Sequence, residues 1–115
     1  MLAFASMTGL GDDMAKPGWV YLMASAPRGT LYLGVTSNLI NRVQQHRTGH
    51  FEGFTSRYGV KRLVWNESHA DIADAIRREK AMKFWQRAWK IRLIEEQNPH
   101  WSDLAVDWGF PPLGD

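Results

Sequence analysis

Two runs of β-forming residues open the ordered part of the pattern, Gly18-Trp19-Val20-Tyr21-Leu22-Met23 and Thr30-Leu31-Tyr32-Leu33-Gly34-Val35. The turn-forming cluster Ser25-Ala26-Pro27-Arg28-Gly29 separates them, so the pair predicts a β-hairpin. Thr36 and Ser37 then offer N-cap hydroxyls to an apolar stripe of Leu39, Ile40 and Val43 that Gly49 stops, predicting a helix over 38–48. Residues 49–60 mix Gly49, Gly53 and Gly59 with Phe51, Phe54 and Tyr58 without a period, which reads as an aromatic loop. Lys61-Arg62-Leu63-Val64-Trp65-Asn66 predicts a third strand. Asp71 to Gln97 is helical in pattern for 27 residues, long enough to predict two helices or one bent helix before Asn98-Pro99.

The order β-β-α-β-α-α is that of an α+β fold, helices layered on a small sheet. We expect one domain over 18–105, a flexible N-terminal tail over 1–17 and a C-terminal tail over 106–115. In the last stretch Trp101, Leu104, Val106 and Trp108 are available to pack back, and Pro111, Pro112 and Gly114 mark a frayed end.

With 115 residues, six Trp, five Phe and three Tyr, the chain suits one core built on large side chains. No Cys is present, which excludes thiolate catalysis, Cys-ligated zinc and a disulfide framework, and is compatible with the cytoplasm. No apolar run approaches the roughly 20 residues of a membrane span. A net charge of +2 says little, but Arg77 to Arg92 carries seven basic residues against Glu79 alone, a formal +6. Interleaved with Phe84, Trp85 and Trp89, that segment reads either as a nucleic-acid surface, with Arg77, Lys80, Lys83, Arg87 and Lys90 as phosphate contacts, or as a solvated helix face.

Three placements resist a simple packing account. Helical periodicity puts Glu79 inside the apolar stripe of Ile72 and Ile76, where a carboxylate needs a metal ion, an Arg or the Lys one turn away, Lys83. Arg42 and His46, four apart, fall at the edge of the Leu39 and Val43 stripe and can lean over the sheet, or simply snorkel to solvent. Tyr21 and Tyr32 lie on facing strands, and Gly34 shares a face with Tyr32 and leaves space there; the alternative is two core rings with surface hydroxyls.

Val20-Tyr21-Leu22 and Tyr32-Leu33-Gly34 resemble the two signature elements of the GIY-YIG nuclease superfamily. The likeness continues through Leu39-Ile40-Asn41-Arg42-Val43-Gln44-Gln45-His46, Gly53-Phe54-Thr55, Tyr58-Gly59-Val60, Arg78-Glu79-Lys80, Lys83-Phe84-Trp85 and Asn98-Pro99-His100-Trp101. It covers about residues 18–105 and is nearest to the small stand-alone bacterial GIY-YIG proteins.

The resemblance implies a three-stranded antiparallel sheet flanked by helices with the site on one sheet face. It also implies a metal-dependent endonuclease acting on nucleic acid, DNA ahead of RNA, with structure-selective cleavage and a repair role in view. Tyr21, Tyr32, Arg42, His46 and Glu79 take the catalytic positions, Glu79 as ligand of Mg²⁺ or Mn²⁺ and Tyr32 as general base, with Gly34 and Asn98 in support. The metal ion, Arg42 and His46 are the available sources of the positive charge a tyrosine base needs. Some family members carry Lys after the second-element glycine, where this chain has Val35; Lys16, Arg28 or Lys83 would have to stand in. The competing reading is a non-catalytic nucleic-acid-binding module on the same fold, which would tolerate loss of Glu79. An HxxxH pair, His46 and His50, finds no third ligand and is set aside as a zinc site.

Overall fold

The first hydrophobic run becomes the middle of the sheet. The structure, a computed structural model, describes residues 16–48 and 58–113. In it β1 (Gly18–Ala24) lies between β2 (Leu31–Thr36) and β3 (Arg62–His69), antiparallel to both. Paired at both edges and covered on both faces, β1 is buried over most of its length, which is why its sequence is nearly all apolar rather than alternating. Val20, Leu22 and Val35 pack on one face with Ala75 and Met82 of α2 (Ile72–Lys83) and Ile94 of α3 (Arg87–Gln97). Tyr21, Met23 and Leu63 pack on the other with Leu39 and Val43 of α1 (Leu39–Thr48) and Ala105 of a 3₁₀ helix (Leu104–Trp108). The expected α+β order and antiparallel sheet are both present.

Several boundaries move. Helix α1 starts after Asn38, whose Oδ1 accepts from the Asn41 amide at 3.1 Å, while Thr36 Oγ1 accepts from the Asn38 amide at 3.0 Å. Asn38 is therefore the cap, not Thr36 or Ser37. Strand β3 runs three residues past Asn66, because β1 continues pairing down to Gly18 opposite His69. The long helical pattern divides in two, with Gln86 extended at φ −62° and ψ 149°. No Gly or Pro marks the break; Trp85 turns into the first core while Phe84 is left 86% exposed. The aromatic loop over 49–57, including Gly53-Phe54-Thr55 and His50, and the tail before residue 16 lie outside the described residues.

A register shift opposite Leu22 and Met23 makes a β-bulge in β3, so consecutive residues Val64 and Trp65 both join the first core. Asn98 satisfies the backbone there: its Nδ2 donates to the Val64 carbonyl at 3.1 Å and to the Ser102 carbonyl at 2.9 Å, and its Oδ1 accepts from the Ser102 amide at 3.0 Å. Asn98→Ala should therefore destabilise the protein by about 2–4 kcal/mol, because it strands several buried partners at once. Urea unfolding measures this, and a loss under about 0.5 kcal/mol would show that water replaces the amide.

The end of the chain is anchored by Asp103. Its Oδ1 accepts from the amides of Leu63 at 3.3 Å and Ala105 at 3.2 Å, and its other oxygen pairs with Arg47 of α1. Arg47 also lies 5.1 Å from the Phe110 ring centroid, and Phe110 packs on the second core. The expected domain end at residue 105 falls inside this 3₁₀ helix.

Candidate active site

Three residues of the second sheet face start the site. Tyr21 is opposite Gly34 in β2 and Asn66 in β3, and it is fully buried. A Cβ at Gly34 would lie 2.5 Å from Cζ and from the hydroxyl oxygen of Tyr21, so only glycine lets the ring cross β2 at this height. Tyr32, half-buried on edge strand β2, stands with its ring 6.1 Å from that of Tyr21.

Helix α1 completes this layer through residues four apart. His46 Nε2 lies 3.0 Å from the Tyr21 hydroxyl, with the His46 ring 5.8 Å from Tyr21 and 5.1 Å from Tyr32. The Arg42 guanidinium and the Tyr32 hydroxyl also hydrogen-bond the Tyr21 hydroxyl. Four expected residues thus meet in one cluster, and the leaning of Arg42 and His46 over the sheet is borne by real contacts.

Glu79 arrives from elsewhere. Helix α2 packs on the first face, so the carboxylate approaches from the other layer, and its charge is felt at Tyr32. The tyrosine cluster lies on the second face, and the helix that carries Glu79 packs on the first. Glu79 is 1% exposed, its Oε1 has no hydrogen-bond partner, and no ion pair joins it to Lys83 among the described residues. The i, i+4 pair is absent, and the carboxylate is buried without it.

Burial sets the charge states. It raises the Glu79 carboxyl, against the opposing charge of Lys83. Burial also raises both tyrosines, strongly for Tyr21; at Tyr32 the Arg42 charge works in the opposite direction. His46 is pushed down to about 4, by burial first and by Arg42 second. It is therefore neutral at physiological pH and supplies no positive charge, contrary to expectation. Val35 is buried in the first core and contributes none either, and Arg28 is committed to Glu95 at 2.9 Å on the hairpin turn. Among the described residues, Arg42 is the cation whose charge acts on both tyrosines.

The basic side chains of this segment do not all point one way. Arg87 donates to the carbonyls of Arg28 at 2.6 Å and Gly29 at 2.8 Å, clamping the hairpin turn onto α3. Arg77 pairs with Asp74 and, at 3.6 residues per turn, points about 160° away from Glu79. Lys83 falls about 40° and Lys80 about 100° from Glu79, so Lys83 borders the carboxylate. Lys90 is half-buried on α3. Asn98 is spent on backbone groups and does not reach the cluster.

A hard divalent cation takes oxygen ligands and keeps several waters, which a buried carboxylate with an unpartnered oxygen suits. No group of three or more His, Asp or Glu side chains gathers among the described residues, and Glu79 is the carboxylate whose charge acts on the tyrosine cluster. Sequence reasoning missed Asn66, the direct neighbour of Tyr21, and a groove between Trp19 and Trp108 beside it. Only strand register reveals the former; the alternation of Trp19 with Tyr21 was a usable signal for the latter.

This small α+β domain gathers two tyrosines, an arginine and a histidine near a sheet edge, with a buried carboxylate on the neighbouring helix. The model of the GIY-YIG catalytic domain matches residues 17–92, and the chain belongs to the GIY-YIG family. Among bacterial relatives, a UPF0213 protein of Aeromonas salmonicida is 32% identical over 97 residues, covering 82% of this chain and 70% of its own. A UPF0213 protein of Staphylococcus haemolyticus is 32% identical over 84 residues, covering 73% of this chain and 100% of its own. The solution NMR structure of a UPF0213 protein of Bacillus halodurans is 24% identical, covers 76% of this chain and 92% of that one, and has a TM-score of 0.48.

Proposed function

We propose that the chain is an endonuclease that hydrolyses phosphodiester bonds in nucleic acid, DNA ahead of RNA, with Mg²⁺ or Mn²⁺ held by Glu79. The observation that carries this is the buried Glu79 carboxylate with an unpartnered oxygen, close enough to the tyrosine cluster for its charge to act on Tyr32. A protein that only binds nucleic acid has no use for it, since a buried carboxylate with an unpartnered oxygen costs stability and repels phosphate. A bound divalent cation would neutralise phosphate charge and stabilise the leaving oxygen.

The other residues divide the remaining work. Tyr32 is half-buried while Tyr21 is closed off, so water reaches Tyr32, which takes its proton as the water oxygen bonds to phosphorus and the bond to the leaving oxygen breaks. The phenolate so demanded is supported by a relay. With its proton on Nε2, neutral His46 would donate to the Tyr21 oxygen, which leaves the Tyr21 hydroxyl to donate to the Tyr32 oxygen. Arg42 adds charge to that phenolate and fixed donors to the phosphate oxygens, where negative charge accumulates in the transition state. The same reading extends to a role in repair and a preference for branched or nicked structures.

Single-stranded, nicked and branched DNA and RNA, incubated with Mg²⁺ or Mn²⁺, test the proposal. Wild type should cut at least one of them. Arg42→Ala should lower turnover by about 10²–10³-fold, as removal of a transition-state donor does. Binding without cleavage by the wild type, matched by Glu79→Ala, would replace catalysis with the binding-module reading.

A further inference from the structure

Next to the tyrosine cluster lies a groove of about 430 Å³, within the roughly 300–1,000 Å³ range of small-ligand sites. Trp19, Asn38, Leu39, Ile40, Asn66 and Trp108 line it. Its position follows from the register already described: Trp19 is two residues before Tyr21 and so on the same face, Asn66 is the β3 partner of Tyr21, and Leu39 is one turn before Arg42 on α1.

The chemistry of the walls is specific. Among the described residues no charged side chain lines the groove, and Arg42 acts on Tyr21, the β1 partner of Asn66 in its wall. The groove thus suits an uncharged planar group, and a phosphate attached to that group would fall to the arginine. Two indoles offer stacking surfaces, and Trp108 is 39% exposed. The half-buried carboxamide of Asn66 has no hydrogen-bond partner in the described structure, and it presents one acceptor and two donors to the groove. Asn38 spends its Oδ1 on the helix cap and keeps its NH₂ donors. Aromatic faces together with an unspent carboxamide match the faces and edges of a nucleobase.

We propose that this groove receives one unstacked nucleobase of the substrate, adjacent to the phosphate at Arg42, an inference that rests on the nuclease reading above. A base inside a duplex is stacked and cannot enter. The substrate must therefore present it from a single strand, a flap, a frayed end or an extruded position.

The test compares a single-stranded DNA pentamer with an all-abasic pentamer of the same phosphate number, in EDTA, by fluorescence anisotropy. Wild type should bind the base-bearing pentamer about tenfold more tightly, the order of one aromatic stacking contact. Trp108→Ala and Asn66→Ala should each reduce that ratio severalfold and leave the abasic affinity unchanged. Trp89→Ala, on α3 in the other layer, should keep the ratio. Equal affinity for both pentamers in the wild type overturns the base site while leaving phosphate binding, and so the nuclease reading, intact. A ratio that survives both groove variants, or disappears with Trp89→Ala, also overturns it. So does a change of oligomeric state in Trp108→Ala by light scattering, which would give the groove to a second copy of the chain. Failure of the wild type to bind either pentamer at low salt overturns the base site, while the nuclease reading is decided separately by the metal-dependent cleavage of the larger substrates.

Discussion

Glu79→Gln should abolish metal-dependent cleavage and, in the same protein, raise the stability of the metal-free fold. Gln keeps the shape of Glu and loses its charge. The wild-type carboxylate is 1% exposed with Oε1 unpartnered, so ionising it inside the fold works against desolvation. Removing that conflict should gain about 1–2 kcal/mol at pH 7–8, and each kcal/mol moves the melting temperature by roughly 4–8 °C in a domain of this size. The pH dependence has a definite sign. Because the folded carboxyl is raised above its ordinary 4.5, the folded state holds the proton more tightly than the unfolded chain. Wild-type stability is then full below the ordinary value and falls as pH rises through the raised one. The variant lacks that slope, so the two proteins converge in acid and separate toward neutrality.

Metal supplies a readout independent of cleavage. An ion bound at tenfold its Kd should add about 1.4 kcal/mol to the wild type and nothing to Glu79→Gln. Equal melting temperatures across the pH range would show that the carboxylate is compensated in solution. Equal metal shifts in both proteins would place the ion elsewhere.

How much of this was legible beforehand depended on the range of the interaction. Glu79 showed itself through helical period alone, because a carboxylate among Ile72, Ile76 and Lys83 is misplaced for any solvent-facing helix. Arg42 and His46 were readable as an i, i+4 pair, and Tyr21 with Gly34 as residues of a short hairpin. Local spacing could not tell which layer each helix covers. Nor could it set a charge state: His46 is neutral because of what buries it, which is a property of the assembled fold. Arg87 and Asn98 look like site residues by type, yet their partners are the carbonyls of a hairpin turn and of a bulge. Neither feature leaves a mark on the neighbouring sequence. The helix break at Phe84 to Gln86 is likewise tertiary, set by the burial of Trp85 and not by any breaker residue.

The second large effect is expected from a single methyl group. Gly34→Ala puts a Cβ 2.5 Å from Cζ and 2.7 Å from Cε1 of Tyr21, well inside contact distance, so the ring must shift by roughly 1 Å. It has little freedom to do so quietly, because β1 is paired on both sides at this level and the rings of Tyr32 and His46 bound the cluster. Overpacking of this kind costs about 1–3 kcal/mol, less the roughly 0.5–1 kcal/mol that alanine gains over glycine in a strand. Activity should suffer more, by about 10²-fold, since a displaced Tyr21 hydroxyl no longer bridges His46, Arg42 and Tyr32. A double-mutant cycle separates the two costs. In a Tyr21→Phe background the ring carbons still clash, so the stability loss from Gly34→Ala persists. The loss of turnover should largely vanish there, because the hydroxyl that the glycine positions is already gone. Additive turnover losses would mean that Gly34 serves the site in some way other than by seating Tyr21.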